Sequence, residues 1–151
     1  MMDHNNDAPK LPPLLCNEEL ERTALGAALW SKSQAEELIR DASVELFTTN
    51  VYRDVFTAIC ALGPNVLDTG LLAHELDRTG KHVAPAVLGS FYDGYPLSDS
   101  MTIRIARLCE LRRLRELARL GERITESALE IGASSAVLIM DIEAVLEAIA
   151  R

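Results

Sequence analysis

Two stretches of this chain approach a catalytic or ligand-binding pattern, and both fall short of it. His74-Glu75-Leu76-Asp77-Arg78 begins like the zinc motif HExxH, in which two histidines one helical turn apart clamp the metal, but position 78 is arginine. Thr79-Gly80-Lys81-His82 resembles the end of a phosphate loop, GxxxxGK[ST]. It carries glutamate at 75 where a glycine is needed, and His82 in place of the metal-binding hydroxyl. Gly80 therefore reads as a helix terminator. His4 and His82 have no cysteine or carboxylate at ligand spacing, and neither a GxSxG elbow nor a DxDxDG calcium loop occurs. Cys16, Cys60 and Cys109 are odd in number and contain no CxxC pair, which reads as free thiols in a reducing compartment. Carboxylates scattered over helix surfaces are solvated by default. The residues point to a protein with no catalytic, cofactor-binding or metal site of its own.

One charged cluster stands apart. Seven of the twelve arginines are Arg104, Arg107, Arg112, Arg113, Arg115, Arg119 and Arg123, opposed in that stretch by Glu110, Glu116 and Glu122 alone. The local balance is +4 within a chain of net charge -8. Three readings fit it: a solvated helix face braced by pairs such as Arg112–Glu116, a contact for an acidic protein through Arg112, Arg113 and Arg119, or contact with a nucleic-acid backbone. No aromatic residue interleaves the arginines, which disfavours single-strand binding. The overall acidity disfavours strong DNA binding by the surface as a whole.

The elements that carry these residues read as helices throughout. Leucine (23) and alanine (19) dominate, while Phe, Trp and Tyr make up 5%. That mix suits helices and leaves little for sheets. Asn17 caps a first helix with Glu18 and Glu19 in its first turn, and Leu20, Ala24, Leu25, Ala28 and Leu29 form its apolar stripe. Ser33 with Glu36 reads as a capping box for a second helix ending near Asp41. Val44, Leu46 and Phe47 look strand-like with nothing nearby to pair with. Asn50 opens a third helix, with Val51, Val55, Ala58, Ile59 and Leu62 inward and Gly63-Pro64 at its end. Asp68 opens a fourth through Leu71, Leu72 and Leu76 to Gly80. Val83 to Phe91 adds a short helical piece with Pro85 in its first turn, and residues 92–96 read as a loop.

From Ser98 to Ile131 no proline occurs and only Gly121 interrupts helix formers. A continuous helix of that length spans roughly 50 Å, against a radius of gyration of about 15 Å for a compact chain of this size, so it must project or bend. Gly132 to Ser135 reads as a turn, followed by a last helix with Leu138, Ile142, Val145, Leu146 and Ile149 on one face. The expected architecture is all-α: a flexible arm (1–16), a compact multi-helix head (17–97) and a protruding antiparallel helical hairpin (98–151), together one domain. On the hairpin's first arm, Leu117, Leu120, Ile124 and Ile131 lie beside a stripe of small residues, Ala118, Gly121, Thr125 and Ala128. One partner helix covers about half of so wide a band, leaving the rest for the body, a second copy or another protein. Leu117, Leu120, Ile124, Leu138, Ile142, Val145 and Leu146 are the expected residues of that interface. The start of the chain has no apolar block like that of a signal peptide. The longest wholly apolar run, Ala136 to Met140, is far too short to span a membrane. A soluble cytoplasmic protein is expected.

An ordered set of soft motifs resembles one family. Glu21 through Leu29 resembles the opening of the N-terminal domain of DnaB-type replicative helicases. Phe47 through Ala58 is similar to its "Fy.p.HR.IF.A" segment, with Phe47, Arg53, Phe56 and Ala58 matching and Tyr52 where histidine is usual. Asp68, Leu72, Glu75, Leu76 and Gly80 follow its "D..tL..eL...G" helix, and Arg112-Arg113-Leu114 fits the start of its hairpin. The family's Gly-Gly-x-x-Tyr-Leu segment is missing, replaced by Val83 to Phe91. The resemblance runs from about residue 12 to 151. It implies a non-catalytic collar, in which hairpins pair between subunits as a homodimer or a trimer of dimers above a hexameric ATPase ring. It further implies docking of the C-terminal domain of primase, and of a helicase loader. ATP and magnesium would belong to the motor that follows such a collar, and this chain would hold neither. Two alternatives remain from the sequence: the related helicase-binding domain of a primase, and a stand-alone helical regulator binding protein or single-stranded DNA.

Overall fold

The computed structural model describes residues 15–65, 68–93 and 100–151. Those residues form seven α-helices, one 3-10 turn (Val44–Leu46) and no strand: α1 (Glu18–Trp30), α2 (Lys32–Asp41), α3 (Asn50–Leu62), α4 (Thr69–Arg78), α5 (Pro85–Ser90), α6 (Met101–Ala128) and α7 (Ser135–Ala150). The chain is all-α, as its composition requires. It divides into two compact units, residues 17–112 and a second built on residues 113–151.

Local chemistry sets the helix ends of the first unit. The Asn17 side chain accepts a hydrogen bond from the Leu20 N–H at 3.0 Å, and Asp68 accepts from the Gly70 N–H at 2.7 Å. Each satisfies a donor that the first turn of a helix leaves open. Gly63 and Gly80 follow the ends of α3 and α4 with φ of 77° and 74°, a region that costs a side chain energy. Ser33 is not the cap of α2. A single residue, Ser31, separates α1 from α2 and closes one while opening the other, so the helix is already under way at Ser33. The strand-like Val44–Phe47 stretch coils into the 3-10 turn, which turns Leu46 and Phe47 into the core. Residues 94–96 of the expected loop and 1–14 of the expected arm lie outside the described residues.

The core of this unit gathers α1 (Ala24, Leu25, Ala28, Leu29), α3 (Val55, Phe56, Ile59) and α4 (Leu72, Leu76). Val51, expected inward, is exposed, as is Leu71 on the fourth helix. Met101, Ile105 and Leu108 at the start of α6 join the same core, so packing places residues 101–112 with the head, whereas a boundary at residue 98 assigns all of the long helix to the hairpin. Segments singled out in the sequence act here as structural units. Arg53 Nε donates to the Phe47 carbonyl at 2.8 Å, and the Phe47 and Phe56 rings lie 5.0 Å apart. Buried Glu21 accepts from the N–H of Thr48 and, at 2.8 Å, from its hydroxyl, fastening α1 to the segment before α3. Arg22 holds the end of α5 through the carbonyls of Ser90 (2.7 Å) and Asp93 (3.0 Å).

Candidate interaction site

The second unit is an antiparallel pair: α6 from Arg113 onward, a link at residues 129–134 in which Gly132 takes φ of 84°, and α7. Leu120, Arg123, Ile124 and Ser127 line one groove together with Leu138, Asp141, Ile142 and Val145. This is the seam of the hairpin, and Leu120 is 6% exposed within it. Of the seven residues expected at an interface, five (Leu120, Ile124, Leu138, Ile142 and Val145) therefore meet the hairpin's other arm. Leu117 and Leu146 are not among the residues lining that groove, and are 42% and 43% exposed.

Helical geometry shows what those two share. At 100° per residue, Leu117, Gly121, Ala128 and Leu114 lie beside the seam on one side of α6. Because α7 runs antiparallel, Leu146 and Ile139 lie on the same side of the hairpin. This flank is apolar and accessible: Leu114, Gly121, Ala128 and Ile139 are all exposed, and a Cβ placed on Gly121 would meet nothing within 4 Å. Gly121 and Ala128 are small enough for a second helix to approach closely.

Sequence reasoning missed Val137, Ile139 and Met140, all exposed on α7. The signal was present in the run Ala136 to Met140. Five consecutive apolar residues on a helix cannot all face one neighbour, and α7 is consequently apolar on several sides.

The arginine cluster does not form one surface. Arg104 and Arg115 are buried, and Arg115 donates to the Leu15 carbonyl at 2.9 Å. Arg112 is half-buried, while Arg113 and Arg119 are exposed. Arg119 and Arg123 line a hairpin groove whose other charged residues are Glu116, Glu122 and Glu126, so that groove is of mixed sign.

His74 and His82 are exposed, and His82 Nδ1 lies 3.2 Å from Asp77. Glu75, the glutamate of the zinc-like stretch, is instead held by Arg78 at 2.7 Å, and that hydrogen bond lowers its pKa below the ordinary carboxylate value. Among the described residues no group of three or more His, Cys, Asp or Glu could hold a metal ion, and no helix is long and apolar enough to cross a membrane.

With this geometry in place, the chain compares closely with one solved structure, the N-terminal domain of DnaB helicase from Mycobacterium tuberculosis. The TM-score is 0.76 at 23% sequence identity, over 91% of this chain and 99% of that one. The fold is that of the DnaB N-terminal domain. No protein-family model matches the chain, and no curated protein does. The likeness thus rests on fold, and the segments that suggested it in sequence lie on α1, the 3-10 turn with α3, α4 and α6.

Proposed function

We propose that this chain is the non-catalytic collar domain of a replicative DNA helicase, holding subunits together through its hairpin and docking the C-terminal domain of primase. The observation that carries the reading is the apolar flank of Leu114, Leu117, Gly121, Ala128, Ile139 and Leu146, which the hairpin's own seam leaves uncovered. The likeness in fold to a DnaB N-terminal domain supports it. Four apolar side chains on one flank, each recovering about 1 to 2 kcal/mol when covered, are enough to favour pairing with an identical flank. Pairs would then assemble as a trimer of dimers in the cytoplasm, with a loader as a further partner. ATP, magnesium and unwinding would belong to a motor domain joined to this one.

The test is light scattering coupled to size exclusion over a hundredfold concentration range. The expected outcome is a dimer or a multiple of it for the natural chain. Leu117→Glu combined with Leu146→Glu should yield a monomer of unchanged helicity. A natural chain that stays monomeric at the highest concentration overturns self-pairing through this flank. Titration with a primase C-terminal domain then checks the docking role separately.

A further inference from the structure

Another side of α7 carries a second accessible surface, which meets the seam at Asp141 and shares no residue with the self-pairing flank. Val137, Ala144, Ala148 and Met140 follow one another along the helix within a sector of about 80°, and span about three turns. All four are exposed, Val137 by 56% and Met140 by 69%. Carboxylates edge this strip on both sides, Asp141 on one and Glu143 with Glu147 on the other, each exposed.

Its charge is one-sided. α7 itself contains three carboxylates and no lysine, arginine or histidine; the nearest cations in sequence and groove are Arg151, its C-cap residue, and Arg123 of α6, which lines the seam groove together with Asp141. On α7 this runs against the helix's own preference. The last turn of a helix favours cations, yet α7 has no basic residue there and places Glu147 in it. A carboxylate in that position works against the fold of the isolated helix, and a cation brought by a partner would satisfy both the carboxylate and the open carbonyls.

We infer that this strip is a docking face for a cationic amphipathic helix of another protein. The apolar row Val137–Met140–Ala144–Ala148 would receive the partner's apolar stripe, and lysines or arginines beside that stripe would meet Asp141 on one edge and Glu143 and Glu147 on the other. A second copy fits less well here, because its own α7 brings the same three carboxylates against a single cation, Arg151 at its C-cap. The inference does not rest on self-pairing, since the two surfaces share no residue.

The experiment uses a fluorescent fourteen-residue peptide of leucine and lysine with helical amphipathic spacing, and a matched peptide of leucine and glutamate. Anisotropy is read against the whole chain. The lysine peptide should bind and the glutamate peptide should not, and raising salt tenfold should weaken binding. Glu143→Gln with Glu147→Gln, and separately Met140→Asp, should each weaken it at least tenfold at unchanged helicity. Glu18→Gln with Glu36→Gln, which removes equal charge from the head, should leave it within twofold. Equal binding of both peptides, no binding of the lysine peptide, or equal losses in the α7 and head variants would overturn the proposal. So would light scattering in which Glu143→Gln with Glu147→Gln dissolves a dimer, since the occupant would then be a second copy. Loss of self-association in the Leu117 and Leu146 variants with peptide binding intact would leave it standing.

Discussion

Glu21 shows how much one buried charge can settle. Only 1% of the residue is exposed, and its two carboxylate oxygens accept the backbone N–H and the hydroxyl of Thr48. Glu21→Ala would leave that N–H without its partner beneath α1, at a cost of about 2 kcal/mol, read as a lower urea midpoint. Thr48→Val should cost less, because it keeps the backbone donor, and the double substitution should fall short of the sum of the two. Gly26, five residues along α1, answers to space alone. A Cβ there would lie 2.4 Å from the Phe91 carbonyl oxygen, so Gly26→Ala must push α5 away, costing about 1–3 kcal/mol. Gly89→Ala, where a Cβ meets nothing within 4 Å, should leave the thermal midpoint unchanged or raise it slightly. Glu21 and Gly26 both fall in the Glu21–Leu29 segment that carries the family resemblance. The sequence alone showed that the segment matches; the reasons it has these residues, a carbonyl against one side and a threonine beneath another, are contacts with residues distant in the chain.

At the scale of elements, what was legible in the sequence is what neighbours in the chain decide. Asn17, Asp68, Gly63, Gly80 and Gly132 mark helix ends because the groups they satisfy, or the φ they adopt, lie within a turn of them. The sequence was less informative wherever a distant element decides. Val51 and Leu71 continue apolar stripes yet reach solvent, 38% and 49% exposed among the described residues. The first three turns of α6 belong with the head because Met101, Ile105 and Leu108 find its core. Periodicity likewise marks Leu117 and Leu120 as one stripe and cannot say that the hairpin's other arm covers the second and not the first. The two should therefore respond differently to the same change. Leu120→Glu puts a carboxylate into the seam, so the arms should part and the circular dichroism signal at 222 nm should fall by about the share of α7, while the head keeps its unfolding transition. Leu117→Glu should keep the full signal. Equal losses from both would mean that Leu117 is also part of the seam.

For the whole molecule, the two units differ in how much they bury. The head encloses a core drawn from six helices and the 3-10 turn, whereas among the described residues of the second unit only Leu120, Ile149 and Arg115 are buried. Two helices sharing so thin a seam have little to hold them against fraying, because most helical stability in a protein comes from covering an apolar face. Unpartnered, the hairpin should therefore open locally at a small fraction of the free energy needed to unfold the head. Association would change this, since a partner that binds only the closed hairpin stabilises it in proportion to its concentration. Hydrogen exchange at two protein concentrations a hundredfold apart separates the contributions. In dilute solution, amides of residues 114–128 and 136–150 should exchange well before those of α1 and α3. At high concentration the hairpin amides should slow while the head amides stay as they were. Hairpin protection that is already equal to the head's when dilute, and indifferent to concentration, would mean that the seam alone holds the arms together and that the Leu117–Leu146 flank has no partner in a second copy.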